Sequence, residues 1–501
     1  MKHLINFSGR AQSGQVLVWF LGFAASMAVV FAGVYSVGQA TSEKQKIVNA
    51  ADAAAYSGGL TEARALNLAS YTNRSVIANE VLVAQLVSLD SWTSYFAVAT
   101  DNYAKLFGTL KSIPYVGIAF AILETSMKIL NQIVTPIANG LDNSIPAVIR
   151  AWELIYQGWY NATIVPAFTP PVMALAAKSA AEKVLANNVS NQGGRIDIAP
   201  KLVNVGAFVV ANELEWNRLT MRYKKSGVPG TASDKRKNAG DLLLVSRDEF
   251  SKNRPGSDVP FLKVLFGNSD FCINYIFKIG SEKLGPTQLK NYERWEAQDT
   301  LEYKLNVPPG GLSGCRWGKG TVAVPVGWGR ATADKNSTKG NIMNTSGGAG
   351  ALAYGRNHAN GAWSGVKELY DVERNSSGKP RQEDATYAVA VAKNKTDIKN
   401  NESLGFVSRP MTGITGSPDL KAGFAKEQIG AVSEATIFFS RPVRNSRDIT
   451  AGNLFRADAH QEYASLYNPY WQVRLKSPSA TNRIIAYGVS GLNPALIPFA
   501  Q

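Results

Sequence analysis

The stretch SGQVLVWFLGFAASMAVVFAGVYSVGQATSEKQKIVNAADAAAYSGG, residues 13–59, passes from an apolar segment into an alanine-rich polar one with no proline between them. From Val16 to Val37 no side chain is charged. About 22 residues at a rise of about 1.5 Å each cover the ~30 Å hydrocarbon core of a bilayer, so the segment is long enough to span. A secretory signal usually has only about 7–15 apolar residues before a small-residue cleavage site. Gly38-Gln39-Ala40 is a poor site of that kind, which favours a retained anchor, with the mature chain starting at Met1 or Lys2, over a discarded signal. A buried core helix is the third reading, and an uninterrupted apolar run of this length argues against it.

Charge sets the orientation. Lys2, Arg10 and the terminal amine precede the span, whereas Glu43, Lys44, Lys46 and Asp52 after it nearly cancel. The positive-inside rule then places residues 1–15 in the cytoplasm and everything after about residue 40 outside, as a single-pass protein.

The expected fold class is α+β: an N-terminal transmembrane helix continuing into a long helical stalk region, followed by a β-rich C-terminal region. After the span no proline occurs until Pro114, and residues 41–107 are rich in Ala, Leu, Glu and Gln, all good helix formers. Leu82, Leu86, Leu89 and Phe96 recur at helical spacing and should share one face. Gly58-Gly59 is the expected weak point, because adjacent glycines cost helix stability. IPYVGIAFAIL, residues 113–123, opens a segment to about 138 that could be a second span; its charge-free run ends at Glu124, which suits a core helix better. Beyond about residue 240, DLLLVSRDEF, FCINYIFKI, TLEYKLNV, TVAVPVGW, ATYAVAVAK, EATIFFSR and YWQVRLK are short β-branched and aromatic runs between turn residues. In the last of these, Trp471, Val473 and Leu475 alternate with polar neighbours and are the expected core face of a strand. Residues 327–366 read as long loops. The resulting division is 1–40 as cytoplasmic N-terminus and anchor, 41–225 as a helical extracytoplasmic region, and 226–501 as a β-rich extracytoplasmic domain.

With 501 residues, 45% hydrophobic and 18% charged, the chain has ample core for two or three domains. The net charge of +15 is spread out. Its densest part, RYKKSGVPGTASDKRK at 222–237, is broken by Gly and Pro as in a solvated loop, so nucleic acid is not an expected partner; an anionic surface or acidic partner is the lesser reading. The only two cysteines, Cys272 and Cys315, fall in the extracytoplasmic half, where a disulfide between them would be worth ~4 kcal/mol on the chain-entropy model. Two buried thiols are the alternative.

Catalytic constellations are scarce. His3, His358 and His460 have no local ligand partner, so neither HExxH nor Cys/His zinc spacing occurs. GCRWGKGT, residues 314–321, has the wrong glycine spacing for a phosphate loop and reads as a turn. Glu213 with Glu215, and Glu383 with Asp384, are the nearest to acid/base pairs and read as surface neighbours. No catalytic, cofactor-binding or metal residue is assigned.

Residues 14–59 resemble the N-terminal region of the TadE/TadG-like proteins of the tight-adherence (Flp pilus) assembly system. The resemblance is carried by Gly14-Gln15 before the apolar span, a short charged helical stretch, and the run Asn49, Ala50, Ala51, Asp52, Ala53, Ala54, Ala55. A softer likeness to the closing segments of large members lies in EATIFFSRPV and YASLYNPYWQVRL, residues 434–443 and 463–475. The resemblance implies a bacterial inner-membrane protein with its bulk in the periplasm. It would be a non-enzymatic accessory or assembly component without a cofactor, and its partners would be pilus or secretion-apparatus proteins, other TadE/TadG-like chains among them. The small residues 50–55 would admit a second helix or pack against this chain's own elements. Processed pilins carry a glutamate at the fifth position after the cleaved glycine; here that position is Trp19, which favours an anchored component over a minor pilin built into a filament. A membrane-tethered enzyme or sensor is the remaining alternative.

Overall fold

The computed structural model describes residues 15–115, 117–187, 191–192, 195–196, 199–273, 277–306, 317, 321–336, 348–355, 358–394, 428–441 and 462–487. A single helix, α1 (Gln15–Leu110), dominates it. Nothing in the sequence stops this helix until the Pro114 turn, where Tyr115 adopts a positive φ of 68°. The chain then reverses into α2 (Gly117–Ile155), which continues through a π-helical stretch (Tyr156–Ile164) and the single turn α3 (Val165–Ala167), before α4 (Pro170–Asn187). The α2 helix runs antiparallel to α1. Lys111 bonds to Glu124, Asn131 to the Ala97 carbonyl, Trp152 to Glu80 and Tyr160 to Asn73, so rising α2 numbers meet falling α1 numbers.

Short elements follow: β1 (Asn191–Gln192), β2 (Arg195–Ile196), β3 (Lys201–Val203), α5 (Val205–Leu219), β4 (Thr220–Arg222), α6 (Lys237–Val245), α7 (Glu249–Lys252) and α8 (Pro260–Phe266). The strand-rich part comprises β5 (Ser269–Ile273), β6 (Phe277–Leu284), β7 (Thr287–Lys290), β8 (Arg294–Asn306), β9 (Thr321–Asp334), α9 (Gly348–Gly355), β10 (His358–Gly361), β11 (Tyr370–Val372), β12 (Asp384–Asn394), β13 (Gln428–Phe439), β14 (Trp471–Lys476) and α10 (Ala480–Tyr487). Two sheets carry the architecture, one in the order β14-β13-β12-β3 and the other β10-β9-β8-β6-β5 with β7 on β8. The long β8–β9 ladder has a bulge at Leu301/Glu302, which absorbs Pro325 opposite Glu302.

Both sheets lie on α1, which is therefore the spine of the fold as well as its N-terminal arm. One core joins Ile47, Leu66, Val83 and Val87 of α1 to Tyr387, Ile437 and Trp471 of the first sheet and to Trp295 and Ala331 of the second. A second core places Tyr95, Ala99, Tyr103 and Phe107 against Leu301, Val326 and Phe266. Helix and sheet come together where one of them has no side chain. Gly58 lies under the Tyr387 ring, Gly59 faces Ala435 and Val473, and a Cβ on Gly327 would stand 2.7 Å from Ala99.

The mixed α+β class with a long N-terminal apolar helix holds, while several details differ from expectation. Gly58-Gly59 does not interrupt α1, because it is a crossing point over a sheet. Leu82 is 40% exposed, and the enclosed positions nearby are Val83, Ala84, Val87, Ser88 and Ser91. With strands on one side and α2 on another, burial on α1 does not follow a single stripe. DLLLVSRDEF is helical: Leu243 of α6 is buried, and Asp248 caps α7 by accepting from the Ser251 amide at 3.0 Å. FCINYIFKI contributes to two paired strands, β5 and β6. Residues 327–366 contain the end of β9, α9 and β10 as well as loop.

Candidate functional site

The spine helix changes character along its length. From Val16 to Val37 its large apolar side chains stand open, with Trp19 at 80% exposure, whereas Ile47 is buried. A charge-free apolar cylinder thus leads without a break into a helix enclosed by protein. Gln15 is the first residue of α1, and Gly14 lies outside the described residues.

The run Asn49–Ala55 sits at the base of the enclosed part. Asn49 is exposed; Ala50, Ala51, Ala54 and Ala55 are buried, and Ala53 is half-buried. Asp52 accepts a hydrogen bond from the Ser433 hydroxyl of β13 at 2.6 Å. The small residues are occupied by this chain's own core, which they share with β12 and β13.

Polar side chains then fix the register of α1 against the sheets. Glu43 pairs with Lys393 at 3.1 Å. The Asn67 amide donates to the Trp471 carbonyl and accepts from the Trp471 N–H, both at 3.0 Å. The buried Asn73 donates to the carbonyls of Tyr370 and Leu466. Glu80 accepts from the indoles of Trp152 and Trp363 at 2.8 and 3.0 Å. Further along, Ser91 donates to Asp299 at 2.7 Å, and that buried carboxylate also binds Arg254 and Lys283 at 2.8 and 2.6 Å. These two cations hold Asp299 below the usual carboxylate range in spite of its burial. Groups buried this deeply persist only when paired and hydrogen-bonded. Each contact is specific to one axial position of α1.

One cluster joins three elements. Nδ1 of His358, at the start of β10, lies 2.6 Å from Asp142 of α2 and 3.3 Å from Asp90 of α1, and the Ser94 hydroxyl is 3.3 Å from the same nitrogen. The two carboxylates push the imidazole up to about 9, while burial raises Asp90 to about 6. At neutral pH the ring is an imidazolium clamped between helices and sheet. The three ligand atoms lie within 4.8 Å of one another, an oxygen, oxygen and nitrogen set that also suits a divalent cation once the ring is deprotonated. Sequence spacing could not reveal the cluster, because its members come from three distant elements.

The remaining sequence candidates are dispersed. Trp471 is buried, edge-on to Phe439 at 5.5 Å; Val473 is half-buried beside Gly59; Leu475 is 46% exposed, so the inward face of β14 fades towards its end. Cys272 is disulfide-bonded, and Cys315 lies outside the described residues, as do His3, His460 and most of 314–321. Glu215 pairs with Arg218, and Glu383 and Asp384 are exposed at the start of β12. Within the basic stretch 222–237, Arg236 is buried against Asp234 at 2.8 Å, so part of that charge is structural.

Residues 14–65 match the family model described as putative Flp pilus-assembly TadE/G-like. No curated protein and no solved structure matches the chain.

Proposed function

We propose that this protein is a membrane-anchored, non-catalytic assembly component of a Flp-type pilus or related secretion apparatus, held in the bacterial inner membrane by residues 16–37 with its folded body in the periplasm. One observation carries the reading: the helix whose apolar side chains stand open from Val16 to Val37 is the same helix that both sheets enclose from Ile47 to Phe107. A charge-free apolar cylinder of this length matches the hydrocarbon core of a bilayer. Because the helix is continuous, the anchor is rigidly coupled to the fold. The family match at residues 14–65 covers the span and the first turns of the enclosed part, and supplies the pilus-assembly context.

A single span is favoured although α2 is also long and apolar enough to cross a bilayer. The inward side of α2 carries Glu124, Asp142 and Glu153, and it packs along the part of α1 that bears the second sheet. Crossing there would bring charged and strand-bearing parts of the fold into lipid. Trp19, where a processed pilin carries glutamate, favours the anchored form over the filament form. Among the described candidates, Glu215 is engaged with Arg218 and His358 with Asp142 and Asp90, while Glu383 and Asp384 stand exposed outside any described cleft, which favours the non-enzymatic reading over a tethered enzyme.

The test is membrane fractionation of the full chain, with a periplasm-dependent reporter fused after Gln501 and intact-mass measurement of the membrane-borne protein. Retention through high salt, an active reporter and an uncleaved N-terminus are expected. A terminus at Gln15 would favour the processed pilin, and a terminus at Thr41 would mean a discarded signal.

A further inference from the structure

Among the described residues, the face of α2 turned away from α1 has no partner, and it carries no charge along its whole length. At about 100° per residue, Ile118, Ile122, Ile129, Ile133, Ile137 and Leu154 fall within one arc of about 100°. They are 79%, 63%, 52%, 55%, 51% and 73% exposed. All the charged residues of the helix, Glu124, Lys128, Asp142, Arg150 and Glu153, lie outside that arc. Between the isoleucines and Leu154 the same arc holds Gly140, Ser144 and Ala151. Among the described residues no atom lies within 4 Å of a Cβ built on Gly140, so another backbone could approach closely there. The helix is about 58 Å long, and a 100° arc of a cylinder about 10–12 Å across is about 9–10 Å wide, so the strip amounts to roughly 500–600 Å². That is at the top of the range of about 300–600 Å² usual for a monomer's largest apolar patch, and it supplies most of the about 800 Å² per partner that a stable interface buries.

We propose that this face is the interface of a parallel homodimer, in which α2 of one copy packs against α2 of a second copy about a two-fold axis normal to the membrane. The proposal rests on the anchored reading above. Counting along α1 from residue 40, the face stands about 55–105 Å beyond the end of the span and runs parallel to it, out of reach of that bilayer. The unbroken helix fixes this height. Two copies in one membrane therefore present the same apolar strip at the same level, which suits a self-complementary two-fold contact. The small residues in the middle allow close backbone approach, and the isoleucines and Leu154 bury apolar area on either side of them.

The experiment uses the full chain extracted from membranes in detergent. Light scattering behind size-exclusion chromatography should give a dimer, and the double variant Ile129→Glu, Ile133→Glu should give a monomer with an unchanged far-UV circular dichroism spectrum. In membranes, Ile129→Cys should form an oxidant-dependent link to itself. Cysteines placed singly at Ile122 and Ile137 and co-expressed should not link to each other, as they would in an antiparallel pair. A monomeric parent chain, a double variant that remains dimeric, or a 122–137 link would each overturn the proposal. A mixed assembly in which α2 crosslinks only to a different protein would also overturn it. Fractionation is scored separately: a membrane-bound monomer refutes the dimer alone, whereas a soluble chain refutes the anchor and with it the parallel arrangement.

Discussion

Gly58 of the spine helix lies directly beneath the ring of Tyr387 in β12, so close that a Cβ on the glycine would run into the aromatic carbons. In a free helical stalk, Gly58→Ala would stabilise by up to about 1 kcal/mol, because alanine is the better helix former. In this fold both Gly58 and Tyr387 are buried, and the added methyl must displace the ring or lift the helix from the sheet. Gly58→Ala is therefore expected to destabilise by about 1–3 kcal/mol, as overpacking does. Urea unfolding of parent and variant gives the sign, and a stabilised variant would mean that α1 does not pack on this sheet.

Asp299 is the hub of the second sheet's attachment to α1. It accepts from Ser91 and pairs with Arg254 and Lys283, all of them buried. Asp299→Ala leaves two cations without their counter-charge and is expected to cost about 3–5 kcal/mol. Ser91→Ala removes one hydrogen bond while the ion pairs survive, and should cost about 1–2 kcal/mol. Comparable losses from the two variants in denaturant melts would contradict the hub.

The long N-terminal apolar helix was legible because a charge-free run is a property of consecutive residues. So were β12 and β13, whose ATYAVAVAK and EATIFFSR combine β-branched and aromatic residues. What stayed hidden depends on contacts between distant segments. The enclosed face of α1 includes Ser88, Asp90 and Ser91, whose burial is supportable only because Thr287, His358 and Asp299 meet them. The first half of β8, RWEAQD, looks like a surface segment in sequence; Glu296 and Asp299 are buried there because Arg330, Arg254 and Lys283 answer them. The Leu242–Leu244 triplet suited a strand by composition, and only the placement of Leu243 in the core beside α1 accounts for the helix.

Cys272 in β5 is disulfide-bonded, and the chain has two cysteines, so we expect Cys315 to be its partner. Thiol labelling of denatured, unreduced protein should find no free cysteine, and reduction should release two. On the chain-entropy model the bond contributes ~4 kcal/mol. Labelling of two thiols before reduction would remove the bond and weaken the periplasmic placement with it.

His358 makes the stability of the fold depend on pH in a defined window. The unfolded chain releases the imidazole proton near 6.5, whereas Asp142 and Asp90 hold it in the folded state up to about 9. The folded protein therefore binds more protons between those values. Its stability from this group is fully present below 6.5 and is lost as pH rises through about 9. Asp90, raised to about 6, acts with the same sign but at lower pH, between its ordinary value and 6, so the two contributions separate along the pH axis. A shift of the size seen at His358 would be worth about 3 kcal/mol if realised in full; with 32% of the side chain exposed, screening reduces this to about 1–2 kcal/mol. Other groups titrate above pH 9, so the comparison is between the parent chain and His358→Gln. Urea unfolding at pH 7 and pH 9.5 should show the parent losing about 1–2 kcal/mol more than the variant across that interval. Equal losses would mean that the ring does not clamp α1 to α2, and that β10 is held by its pairing with β9 alone.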